Sequence, residues 1–389
     1  MMSRSRLLVV LCTLALGWLA PPPASAFYIL SPKSEPCHER LMLGALGAEA
    51  EPFGSAGSAG PKLVSLLTER VRASGVPDDE ETRAFVDETA QRYGFSAQSW
   101  AEKFVLASFV AGVRQPDTDG LSVIKFNETR SLHLQDGNQP KHSLRQSDHD
   151  YEGGDAAAIE RAREVVVERL ERARSSWQTD EELLERARWS FAYYGEVDVW
   201  LVAAAFHLGR AAHVVQDAYA HTLRDDEMRV VAMSNFVDVV EERYFEPRDG
   251  PAHSKRLDKC DTDESAFDEM RVVEAREATV ELVAVLGLVL SESASRTRLE
   301  ELLDRPLNRV YTLREGCTVD NAYCGSAWAP LAASEPTEPY NLTLCATGDP
   351  SSPRSLHGAL IAAAVASLVV VWRLARARGF RSRSRRSTA

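Results

Sequence analysis

Phe206 to Asp226 reads FHLGRAAHVVQDAYAHTLRDD, and the rest of the chain is organised around it. Its core, His213-x3-Asp217-x3-His221, sets three metal-ligand residue types one helical turn apart, with Val214, Val215, Ala218, Tyr219 and Ala220 between them. Side chains at i, i+4 and i+8 share one helix face. His213 and Asp217 can therefore serve one metal and His221 a second, with the Asp217 carboxylate bridging the two. Imidazole with carboxylate suits zinc or another borderline divalent ion. The same spacing also fits satisfied core histidines or a solvated polar stripe, so spacing alone leaves both readings open.

The words HLGRAAHVVQDAYAHT, over about 20 residues, resemble the central helix of the zinc-dependent phospholipase C and P1 nuclease superfamily. In its closest variant, Gly-Arg-Ala-x-His-x-x-Gln-Asp is followed by a short step to a second histidine. The resemblance implies an all-α, multi-helix bundle, one to three zinc ions and phosphodiester hydrolysis. It also implies a ligand set, which transfers position by position. Phe27 stands where the family's mature N-terminal aromatic binds zinc through its backbone amine and carbonyl, and His38 stands for the histidine nearby. Asp117 or Asp119 ends an apolar helix where the family sends an aspartate to its first zinc, and Asp117 is the catalytic candidate. His142, followed by Asp148, Asp150 and Gly153, best fits the family's loop histidine, with His133 in reserve and His149 a third candidate. With His213, Asp217 and His221 this completes the expected metal set.

One departure weakens the second metal position. Just upstream of Asn235-Phe236-Val237-Asp238 the phospholipases carry a histidine and a glutamate, where this chain has Val230 and Ser234. Asp225, Asp226, Glu227 or His253 would have to substitute.

The ends of the chain bear on compartment. Residues 1–26 hold Arg4 and Arg6, an apolar run and an Ala24-Ser25-Ala26 cleavage site, the pattern of a secretory signal. Gly358 to Trp372 is almost wholly apolar and precedes seven arginines, which predicts a transmembrane or sorting helix over 355–373 and a basic cytoplasmic tail over 374–389. The expected location is therefore the periplasmic or cell-surface face, with the anchor open to processing. Beyond the signal, five cysteines remain in an oxidising compartment. Cys317 and Cys324 are close enough to bridge a small loop, Cys37 can pair with Cys260 only if the fold joins them, and Cys345 is left over.

Between these ends the expected organisation is a helical domain over 27–303 and a loop-rich, cysteine-containing cap or stalk over 304–354. Helical patterns fall at 62–75, 79–94, 97–112, 155–174, 181–194, 265–291 and 296–304, and the resemblance implies a further helix across 234–244. Residues 111–120 read as a turn, His207 as structural, and no strand alternation stands out.

Net charge is −12, and −21 once the signal and tail arginines are set aside. That is a poor footprint for a polyanion and argues against nucleic acid as partner. The first expectation is thus a metal-dependent phosphodiester hydrolase acting on phospholipid. The alternative is a non-catalytic surface or binding protein that keeps the fold and a partial metal site, and the third is a secreted nuclease.

Overall fold

The computed structural model describes residues 37–48, 57–75, 79–121, 135–149, 153–191, 195–235 and 266–329, with residues 77, 128, 132, 151, 250 and 251. The chain divides into two units, Met1–Pro336 and Thr337–Ala389, and all described residues belong to the first.

Its helices are α1 Cys37–Ala45, α2 Ala59–Ser74, α3 Glu80–Arg92, α4 Trp100–Thr118, α5 Gly154–Ser176, α6 Ala203–Ala220, α7 Ala266–Ser291 and α8 Arg296–Tyr311. Short 3-10 turns cover Asp136–His142 and Ser147–His149. α6 is the axis: every one of its residues except Arg210 is buried. Its apolar residues face every side, and α4, α5 and α7 pack around it. At the α4–α6 crossing the two backbones meet. A Cβ on Gly112 would stand 2.1 Å from the Phe206 carbonyl oxygen, and one on Gly209 would stand 2.6 Å from that of Phe109. Only glycine permits this approach, and it brings the end of α4 to the middle of α6.

The expected all-α class is corrected. Two antiparallel hairpins are present, β1 Leu184–Phe191 with β2 Gly195–Val202 and β3 Thr222–Arg224 with β4 Val230–Met233. The stretch expected as a helix over 181–194 is thus mostly strand. Trp189 and Phe191 point inward while Arg186 and Arg188 point out. This period-two pattern continues into Val199 and Leu201 and outweighs the helix-compatible Glu/Arg content. The helix expected from Ser234 is likewise corrected in its first part, where Ser234 and Asn235 follow β4; residues 236–249 lie outside the described set.

The C-terminal transmembrane helix is also corrected: among the described residues no helix is long and apolar enough to cross a membrane. The apolar run itself, 358–372, lies outside those residues.

Two smaller differences concern helix ends. α4 runs on through Pro116 to Thr118, where a turn was expected. α8 continues through Pro306 to Tyr311, inside the expected cap. Cys317 and Cys324 form the short-loop disulfide, and Cys37 is disulfide-bonded as well. Cys260, its conditional partner, lies outside the described residues, as does Cys345.

Candidate metal centre

Four separate elements deliver the candidate ligands to one point. α1 supplies His38 and the last turn of α4 supplies Asp117, while the 3-10 turn before Ser143 ends on His142 and α6 contributes His213 and Asp217. All five are buried, with Asp117 the least covered at 8 % exposure. The continuation of α4 settles the choice left open by the sequence. Asp119 is its left-handed C-cap, at φ 47°, and accepts a hydrogen bond from Gln115. Asp117 turns inward instead.

Asp217 is the hub. Its Oδ1 lies 3.2 Å from His38 Nε2, and its Oδ2 lies 2.9 Å from His213 Nε2 and 3.0 Å from His142 Nδ1. The two oxygens thus face different histidines, as a bridging carboxylate requires. Asp117 Oδ1 stands 3.7 Å from both His142 Nδ1 and His213 Nε2. Two ligand groups result, His38 with Asp117 and His213, and His142 with His213 and Asp217, in each of which the ligand atoms lie within 4.8 Å of one another. These buried imidazole and carboxylate groups are within metal-binding distance.

The imidazoles are oriented from behind. His38 Nδ1 donates to Gln216 Oε1 at 2.8 Å, and Gln216 in turn donates to Thr279 Oγ1 on α7. His213 Nδ1 donates to the Val113 carbonyl at 2.9 Å. Each of these bonds orients the ring so that Nε2 faces Asp217 and is the atom left for a metal, the usual arrangement behind a metal-binding histidine. His142 is held through its neighbour: Ser143, at φ 49°, donates to the Val214 carbonyl and contacts the Tyr311 hydroxyl.

Electrostatics follow from the crowding. Burial alone would depress the His38 pKa, but the charge and hydrogen bond of Asp217 outweigh it and lift it to about 9. Burial would raise Asp217, yet the surrounding histidines hold its carboxyl well below the usual range. Without a metal the site is a carboxylate among imidazoles competing for protons, and a divalent cation satisfies the same atoms with protons released.

The other expected ligands fall elsewhere. His221 caps α6 at the edge of the centre, with Nδ1 donating to the His142 carbonyl and 3.8 Å from Asp217 Oδ2; neither ligand group includes it. His149 lies on its own 3-10 turn beside Asp148. Phe27, His133 and His253 lie outside the described residues. Val230 is in β4 and Ser234 follows it, both buried, so neither place offers a ligand. Asp225, a proposed substitute, is committed to Arg229 and Arg314. His207 is paired with Glu185, as a structural residue should be.

Sequence reading missed the supporting residues. Gln216 sits in the quoted motif, and its signal was an amide directly before Asp217 on a buried helix. Glu39 gave no signal: it accepts from Tyr93 at 2.9 Å and from Arg114 at 3.2 Å, clamping α1 and the end of α3 to α4. Tyr93 is consequently held in its neutral form, its pKa raised by burial and by Glu39. No protein-family model, curated protein or solved structure matches this chain.

Proposed function

We propose that this chain is an exported zinc-dependent phosphodiester hydrolase of phospholipase C type. The observation that carries the proposal is the pair of buried ligand groups sharing His213 and flanking the Asp217 carboxylate. A divalent metal held there supplies an activated water and charge stabilisation for an in-line phosphoryl displacement.

The chain's own residues divide the remaining work. Asp217 spans the two groups through its separate oxygens, while Gln216 and the Val113 carbonyl fix His38 and His213 in ligand-ready orientations. In this reading Asp117, the least covered of the five, would accept a proton from the attacking water. Zinc is favoured over harder cations because three imidazoles outnumber two carboxylates. A phospholipid is favoured over nucleic acid because the net charge of −12 repels an extended polyanion. The disulfides support an exported protein.

The second reading, a non-catalytic binding protein with a structural metal, draws on the buried Val230 and Ser234, which supply no second-site ligands. Hydrolysis of bis(p-nitrophenyl) phosphate and of phosphatidylcholine by the zinc-loaded chain separates the two. Turnover that falls by at least ~100-fold in Asp117→Asn supports the hydrolase. Firmly bound zinc with no turnover of either substrate supports the binding protein.

A further inference from the structure

Glu39 directly follows the candidate ligand His38 on α1, and Arg114 stands one helical turn before the candidate ligand Asp117 on α4, on the same face. We infer that Glu39, Tyr93 and Arg114 are positioning residues of the metal centre: their buried cluster sets the spacing of His38 and Asp117, and with it the affinity of the ligand group these two form with His213. The inference rests on the metal centre, and not on the hydrolysis proposed for it.

The cluster is a closed triangle of hydrogen bonds. Arg114 Nη1 lies 3.2 Å from Glu39 Oε1 and 3.2 Å from the Tyr93 hydroxyl, and that hydroxyl donates to the same Glu39 oxygen at 2.9 Å. Tyr93 is the C-cap of α3, so three helices meet at one carboxylate oxygen. Glu39 is fully buried and the Arg114 side chain is 10 % exposed. The Arg114 guanidinium also lies over the Trp189 ring of β1, 5.3 Å from its centroid, a further contact that holds it in place.

Stability gives such a cluster little reason to exist. Taking a carboxylate and a guanidinium out of water costs about as much as their pairing returns, and apolar residues of similar volume often do as well or better. What the ion pair adds is direction, because charge-assisted hydrogen bonds are short and angle-dependent. It therefore locks α1 against α4 in one register. A metal tolerates only ~0.2 Å in each ligand distance, and register is what two ligands on different helices need. The other ligand group has its own support, since His142 is held through Ser143, which bonds the Val214 carbonyl and the Tyr311 hydroxyl.

The test is zinc competition against a chromophoric chelator on the full chain carrying Glu39→Leu, Tyr93→Phe and Arg114→Met together, with urea unfolding of the metal-free protein in parallel. All three polar groups leave at once, so none is stranded in the core. A urea midpoint at or above that of the wild type is expected, together with zinc affinity at least ~10-fold weaker and a changed visible spectrum in the cobalt-substituted chain. Equal affinity, or a loss that only accompanies a lower urea midpoint, overturns the inference. If the triple variant does not fold, Glu39→Gln decides the outcome, since it keeps the volume and removes the charge: weaker zinc binding supports the positioning role, and equal binding overturns it. A wild type that binds no zinc overturns the metal centre and the inference with it, whereas zinc binding without turnover overturns the hydrolase reading alone.

Discussion

Replacing Asp217 with asparagine keeps the side-chain volume but removes the one anion that faces four imidazoles. Its oxygens lie 2.9 to 3.8 Å from His213, His142, His38 and His221, so a single substitution damages both ligand groups. Loss of an outer-shell partner alone costs ~10–100-fold in metal affinity. A residue that contacts both groups directly is expected to cost at least ~100-fold, or ~3 kcal/mol. The assay is competition for zinc against a chromophoric chelator at pH 7.4, with metal content per chain measured in parallel. The metal-free variant offers an independent readout by histidine NMR titration. With the anion gone, only the Asp117 charge and the Gln216 hydrogen bond still oppose burial at His38, and its pKa should fall from about 9. Equal zinc stoichiometry and equal affinity in Asp217→Asn would refute the assignment of Asp217 as hub.

Three further outcomes follow from the same geometry. Gly112→Ala replaces a poor helix former with the best one, worth ~1 kcal/mol in an exposed helix, but the new Cβ meets the Phe206 carbonyl oxygen at 2.1 Å. The clash wins, so urea unfolding should show a loss of ~1–3 kcal/mol and weaker zinc binding as α4 carries Asp117 away from His213. Glu39→Ala strands the buried Arg114, whose side chain is 10 % exposed, and should destabilise the fold by ~3–5 kcal/mol by the same assay; a change below 1 kcal/mol would contradict the clamp. Finally, in the metal-free protein His38 binds its proton more tightly folded than unfolded. Its contribution, up to about 3 kcal/mol, is present below pH 6.5 and is lost as pH rises from 6.5 through about 9. Denaturation midpoints across that window should fall in the wild type and stay flatter in Asp217→Asn.

Much of the centre was legible in the sequence because it is local. His213 and Asp217 share a face through helical periodicity alone, and the apolar residues between them favour the helix that carries both. The hairpin at 184–202 was misread because its strands alternate weakly and carry helix-compatible Glu, Arg and Ala, and only cross-strand pairing such as Trp189 with Val197 makes the choice.

What the tertiary structure alone decided is convergence. His38 and Gln216 are 178 residues apart in sequence and 2.8 Å apart in space. Asp117 rather than Asp119 faces the centre because α4 runs past Pro116 and leaves Asp119 as its cap. The backbone contact of Gly112 with Phe206 sets how close α4 comes to α6. Residue types and their local spacing are written in the sequence; which distant side chains share a few ångströms is set by how the helices pack, and that packing brings scattered histidines within metal-binding distance.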